Sequence, residues 1–156
     1  MKSLLNIEYM KKFTIDNSVF VKTILNEENE AIATDLMECI EKNGHKIINP
    51  TLFQYEFFKV FITKNLNLKL AHEVVDRHLE VNMELLNPTI THNLKAKEII
   101  ASCKKENGFP SYYDAIYHAI ALVEGGTLIT TDEKYYTKTK HFGGILLLEN
   151  GILERV

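Results

Sequence analysis

Four acidic residues in this sequence, Asp16, Glu56, Asp114 and Asp132, could do chemistry together. Asp16 closes the run Phe13-Thr14-Ile15-Asp16, and Asp132 directly follows Thr127-Leu128-Ile129-Thr130-Thr131. Glu56 lies among Phe53, Phe57, Phe58 and Phe61, and Asp114 leads into Ala115-Ile116 and Ala119-Ile120. A carboxylate in an apolar segment loses its hydration and needs a cation or fixed donors. No Lys or Arg adjoins Asp114, so a divalent cation with hard oxygen ligands is the economical partner. Such an ion binds an anionic oxygen and lowers the pKa of a bound water, which is the chemistry of metal-assisted hydrolysis. Two hydroxyls, Ser18 and Thr130, suit donation to a carboxylate so that its other oxygen turns to the metal. Singly, each acid has an ordinary explanation. Ser111-x-x-Asp114 reads as a helix cap, Asp132 can cap the helix after it, and Asp16-Asn17-Ser18 can be a turn. Four at one place would be a site.

The elements that must bring them together follow from hydrophobic spacing. Short strands are expected at 13–16, 46–49 (closed by Pro50), 83–87, 127–131 and 144–148. Helices are expected at 19–25 and 27–42, the second stopped by Asn43-Gly44. Further helices are expected from a Thr51 cap to Lys64, over 68–82 and 94–105, from Ser111 to Val123, and over 133–139. Short apolar strands alternating with helices predict a mostly parallel central sheet covered on both faces, a three-layer α/β/α sandwich. Ligands of such sheets bind beyond the carboxyl ends of the strands, and by element order all four acids fall at that edge.

The chain has 156 residues, 46% hydrophobic and 25% charged, with 7 Gly and 3 Pro, which excludes disorder and fits a single domain. Residues 13–150 are expected to form that domain. Residues 1–12 read as an extension, or as a start mis-assigned ahead of Met10, and 151–156 as a C-terminal tail. The net charge of −3 excludes a broad basic surface. Nucleic-acid chemistry would therefore need a local basic rim or bound cations. Cys39 and Cys103 are far apart, form no metal-binding pattern and read as small core residues in a reducing compartment. No run approaches the roughly 18 apolar residues of a membrane span. Asn6 and Glu8 interrupt any signal-peptide core after Leu4-Leu5, so the cytoplasm is the expected location.

With these residues in place, the chain resembles a PIN domain, most closely the VapC-type toxin ribonucleases of prokaryotic toxin–antitoxin pairs. Four segments carry the likeness: Ile15 to Lys22, the helix with Tyr55-Glu56, Tyr113 to Ala119, and Leu128 to Asp132. Together they span about residues 12–150 in the family's order. The resemblance implies an acidic metal-binding quartet at Asp16, Glu56, Asp114 and Asp132, with Ser18 and Thr130 at its polar positions. It implies Mg²⁺ or Mn²⁺ as cofactor, RNA as substrate, a cognate antitoxin whose tail blocks the acidic pocket, and a homodimer. The N-terminal extension departs from the pattern. The helical insert between Glu56 and Asp114 resembles the family's variable region.

Lys22, Lys59 and Lys134, with Lys138 and Lys140, are candidates for a basic rim that grips an RNA backbone. His118 lies one turn beyond Asp114, where it either meets the metal or is an ordinary interior histidine. Tyr112, Tyr113 and Tyr117 either stack bases or fill the core. Two other classes gather acids at a sheet edge. A haloacid-dehalogenase-type phosphotransferase needs Asp-x-Asp after its first strand, where this chain has Asp16-Asn17-Ser18. A receiver needs paired acids near the first strand and a late Lys, and neither is evident. A binding module that keeps the fold without catalysis is the remaining alternative.

Overall fold

A computed structural model describes residues 9–25 and 29–156. Five strands, β1 (Lys12–Ile15), β2 (Lys46–Pro50), β3 (Met83–Leu86), β4 (Thr127–Thr130) and β5 (Ile145–Leu147), form one sheet in the order β3-β2-β1-β4-β5. Every pairing is parallel. Between them run α1 (Asn17–Lys22), α2 (Glu30–Lys42), α3 (Leu52–Thr63), α4 (Leu68–Val81), α5 (Ile90–Ser102), α6 (Tyr112–Val123) and α7 (Glu133–Thr139). Parallel strands are joined by right-handed crossovers, which puts α1 to α4 on one face and α5 to α7 on the other. The expected α/β/α sandwich is what forms. Because both faces are covered, β1 buries Phe13, Thr14 and Ile15 in succession instead of alternating. Thr14 satisfies its hydroxyl by donating to the Ile48 carbonyl at 2.7 Å.

Helix ends are set by local chemistry that the sequence displays. Gly44 (φ +66°) donates to the Glu41 carbonyl at 3.0 Å while His45 donates to Ile40 at 2.9 Å, which closes α2 where Asn43-Gly44 predicted. Gly125 and Gly126 close α6 in the same way, on Leu122 at 3.2 Å and Ala121 at 2.7 Å. Gly126 then passes so near β1 that a Cβ there would lie 2.6 Å from the Lys12 carbonyl oxygen. This close approach is what delivers β4 beside β1.

Several boundaries differ from the expectation. The helix α5 starts at Ile90 and not at 94, because Thr89 and His92 cap it reciprocally. Histidine at that position is not the usual glutamate or glutamine signal. Thr51 sits at the start of α3 but caps nothing; its hydroxyl donates to Asn87 Oδ1 at 2.9 Å. Pro50 is the last residue of β2 instead of lying beyond it. The helix expected at 19–25 runs from Asn17 to Lys22, directly after Asp16. Residues 1–8, part of the expected extension, and 26–28, part of the expected second helix, lie outside the described residues. At the other end, Ile152–Glu154 form a 3₁₀ turn against α2, with Ile152 and Val156 buried.

Candidate active site

The sheet order reverses direction at β1 and β4: from β1 the chain steps outward to β2 and β3, and from β4 outward to β5. That pair is the switch point where a doubly wound sheet opens a crevice at its carboxyl edge. Ile15 pairs with Ile129, and the next backbone amide, Asp16 N, donates to the Ile129 carbonyl at 2.9 Å. Asp16 thus leaves β1 beside Thr130. Its Oδ2 accepts from Thr130 Oγ1 at 2.7 Å and from Ser18 Oγ at 2.9 Å. Thr130 Oγ1 in turn accepts from the Asp132 amide at 3.0 Å, so one hydroxyl joins the ends of two strands. Both predicted hydroxyls therefore hold Asp16.

The other acids are anchored as firmly. Asp132 Oδ1 caps α7 by accepting from Tyr135 N at 2.9 Å. Asp114 Oδ2 accepts from Ser111 Oγ at 2.7 Å, and Ser111 Oγ accepts the Asp114 amide at 3.1 Å. The capping explanations for Asp114 and Asp132 are thus real, yet they coexist with convergence. Asp16, Asp114 and Asp132 line one small cavity together with Tyr117, Thr130 and Tyr135. Glu56 joins through Tyr117, whose hydroxyl donates to Glu56 Oε2.

The four carboxylates share one pattern: a fixed donor holds one oxygen of each. No hydrogen bond from a described residue reaches the second oxygen of Glu56, Asp114 or Asp132. Among the described residues, no three His, Cys, Asp or Glu side chains stand close enough to enclose a metal ion. The cluster is therefore open and not a closed cage. An open set of hard oxygens fits a cation such as Mg²⁺, which keeps several of its waters and takes only one or two carboxylates.

Electrostatics follow from this crowding. Burial raises the pKa of Asp16 against the pull of the Thr130 and Ser18 hydroxyls, and the Asp114 charge raises it further. Burial likewise raises Glu56, opposed by the Tyr117 hydrogen bond and assisted by the charges of Asp16 and Asp114. Tyr117 is pushed far up by burial and by the Glu56 carboxylate, which keeps its hydroxyl a donor. Burial and crowding thus oppose the charged forms of Asp16 and Glu56, an opposition that a bound cation would relieve.

The remaining candidates separate. Lys59 is exposed on α3, and its charge acts on Glu56. Lys134 is exposed beside Asp132, Lys22 and Lys138 are partly accessible, and Lys140 lies over the Tyr136 ring. His118 is an interior residue: Nε2 donates to the Gly143 carbonyl at 2.7 Å and Nδ1 meets the Tyr135 hydroxyl at 3.2 Å. Burial lowers its pKa, and it touches none of the four acids. The three tyrosines divide, Tyr117 buried and Tyr112 and Tyr113 exposed.

Sequence reading missed two residues that shape the site. Tyr117 carries the contact to Glu56, and helical spacing alone marks it only as core. Asn49 is fully buried at the end of β2. Its Oδ1 accepts from Ile15 N at 2.9 Å and its Nδ2 donates to the Ile15 carbonyl at 2.8 Å, so a side chain completes the pairing of β1 just before Asp16. An amide ending an otherwise apolar strand was the available signal.

Comparison with known proteins agrees with this geometry. The family model described as PIN domain matches residues 13–140. No curated protein matches the chain. Among solved structures, VapBC from Salmonella typhimurium bound to DNA is similar with a TM-score of 0.64 and 19% identity, covering 88% of this chain and 97% of that one. PAE2754 from Pyrobaculum aerophilum gives 0.61 and 18%, covering 94% of each chain. VapC20 of Mycobacterium tuberculosis, described as a sarcin–ricin loop cleaving toxin, gives 0.63 and 13%, covering 81% of this chain and 94% of that one. At such identities the structures speak for the fold, and it is the family match over most of the chain, with three acids lining the β1/β4 crevice and Glu56 joined to them through Tyr117, that places this protein in the PIN domain family.

Proposed function

We propose that this chain is a metal-dependent endoribonuclease that hydrolyses RNA phosphodiester bonds, acting in the cytoplasm as the toxin of a type II toxin–antitoxin pair. One observation carries the reading: Asp16, Asp114 and Asp132, from three separate segments, line one cavity at the switch point, with Glu56 joined through Tyr117 and each of the four carboxylates tied by one oxygen to a fixed donor. Asp16 and Asp132, tied through Thr130, would hold Mg²⁺ or Mn²⁺, with Glu56 and Asp114 as ligands directly or through water. When bound, the ion supplies charge neutralisation at a phosphate oxygen and a water of lowered pKa. The chain's own residues orient the carboxylates, and without the ion they repel both one another and the phosphate. Lys22, Lys59 and Lys134 would hold the RNA backbone on either side.

The similar VapBC structures and the VapC20 toxin support an antitoxin partner and an RNA target; a homodimer as the active assembly is part of the same proposal. The test is direct. The purified protein is incubated with tRNA and rRNA and Mn²⁺, with and without EDTA, beside Asp16→Asn and Asp114→Asn. Both variants should fall to the EDTA background while keeping the native circular-dichroism spectrum. Undiminished cleavage by either would refute the metal assignment.

A further inference from the structure

Two hollows of about 320 and 590 Å³ lie along one side of α7 and meet at Asn107, Thr137 and Lys138, which line both. Their walls are α7 and the segment between α5 and α6. Lys104 and Lys138 face the first hollow with His141, and Lys134 and Lys138 face the second with Glu133. Three lysines against one glutamate make this a locally positive surface on a chain whose net charge is −3. No ion pair among the described residues joins Lys104, Lys134 or Lys138 to an acid. The Lys138 ammonium lies over Gly108, 3.7 Å from where a Cβ would stand, so a side chain at 108 would crowd the cation.

What distinguishes this groove from scattered surface lysines is where its two walls lead. Followed backward, α7 leads to its capping residue, Asp132. Followed forward, the opposite wall runs from Asn107 through Ser111 to Asp114. Asp114 and Asp132 line the same cavity, so both walls, followed along the chain, end at residues of the acid cluster. In that same stretch of chain, just beyond the residues that line the hollows, Phe109 and Tyr113 remain more than half exposed, at 53% and 59%. Cations that track a backbone, beside exposed rings on which bases stack, are the two components of a single-strand nucleic-acid site.

We infer that the groove between α7 and the Lys104–Pro110 segment is the track along which a single-stranded RNA backbone approaches the four acids. The ligand class rests on the nuclease reading above. An acidic protein segment would meet the lysines as well, but it has no planar bases to place on Phe109 and Tyr113.

The experiment measures fluorescence anisotropy of a labelled single-stranded RNA with full-length protein carrying Asp16→Asn, which prevents cleavage. Lys134→Ala/Lys138→Ala is added to that background. Lys42→Ala/Lys46→Ala, two exposed lysines remote from the groove in sequence, serves as a control of equal charge change. The groove variant should bind about tenfold more weakly at low salt, and its log Kd against log salt should be shallower by about 1.4, as two lost single-strand phosphate contacts require. The control should shift neither. Equal affinity and slope in both variants would overturn the inference. So would loss of binding to polyglutamate with RNA binding intact, which would assign the groove to an acidic protein. Failure of the nuclease reading shows separately, as absence of Mn²⁺-dependent cleavage by the unsubstituted protein, and the binding measurement still decides the groove.

Discussion

Tyr117 shows how much one atom contributes at the scale of a residue. Its ring is buried against the core at 3% exposure, while its hydroxyl reaches Glu56. The donor occupies one oxygen of that carboxylate and so leaves a single direction from which a cation can be met. Groups that orient metal ligands typically contribute 10- to 100-fold to metal affinity. Tyr117→Phe keeps the ring and removes only the donor. Mn²⁺ binding by isothermal titration should weaken about tenfold in this variant. With Glu56→Gln already present, the same change should have little further effect, because the carboxylate it serves is gone. Full additivity of the two would show that Tyr117 acts on folding and not on Glu56.

At the scale of elements, the site depends on how β1 is gripped on both sides. On one side the ladder to β4 continues past the strand through the Asp16 amide. On the other, backbone pairing with β2 covers Lys12 and Phe13, and beyond it the chain relies on the Thr14 hydroxyl and the Asn49 amide. Asn49→Ala would leave the N–H and C=O of Ile15 without partners in the interior. Each such group costs about 1–3 kcal/mol. Urea denaturation should therefore show a loss of about 2–6 kcal/mol. Mn²⁺ affinity should fall with it, since Asp16 is the next residue. A stability loss below about 1 kcal/mol would mean that water replaces the amide without penalty.

For the whole molecule, the cluster sets stability against function. Asp16 and Glu56 are held above their ordinary values by burial and by neighbouring carboxylates, Asp114 acting on Asp16, and Asp16 and Asp114 acting on Glu56. A carboxylate raised in the folded state is favoured there in its protonated form, so the folded state holds more protons than the unfolded one. Stability of the metal-free protein should be fullest below the ordinary value of 3.8 for Asp16, as far as this group is concerned, and decline as pH rises through its raised value. In EDTA, Asp16→Asn should accordingly raise Tm at pH 7 relative to the unsubstituted protein, by more at pH 7 than at pH 5. Mn²⁺ at a hundred times its Kd should add about 2.7 kcal/mol to the unsubstituted protein. The variant should gain little. A variant that melts below the parent at pH 7 in EDTA would show that the hydrogen bonds to Asp16 outweigh its desolvation.

The parts of this architecture that depend on local pattern could be read in the residues. Apolar runs of four to five residues alternating with helical spacing dictate the parallel sandwich. Asn43-Gly44, Gly125-Gly126 and the Ser111 cap dictate helix ends, because each satisfies backbone groups within a few positions. Asp16, Glu56, Asp114 and Asp132 were visible as charges in apolar surroundings, and Ser18 and Thr130 as hydroxyls beside them. Only the fold decided what depends on distance through space: that Tyr117 faces Glu56, that Asn49 completes β1, that His118 is tied to Gly143 and Tyr135, and that α7 and the segment before α6 wall one groove. These contacts join residues 17 to 61 positions apart. Their existence depends on strand order and register, which the chain reaches only when all the elements pack together.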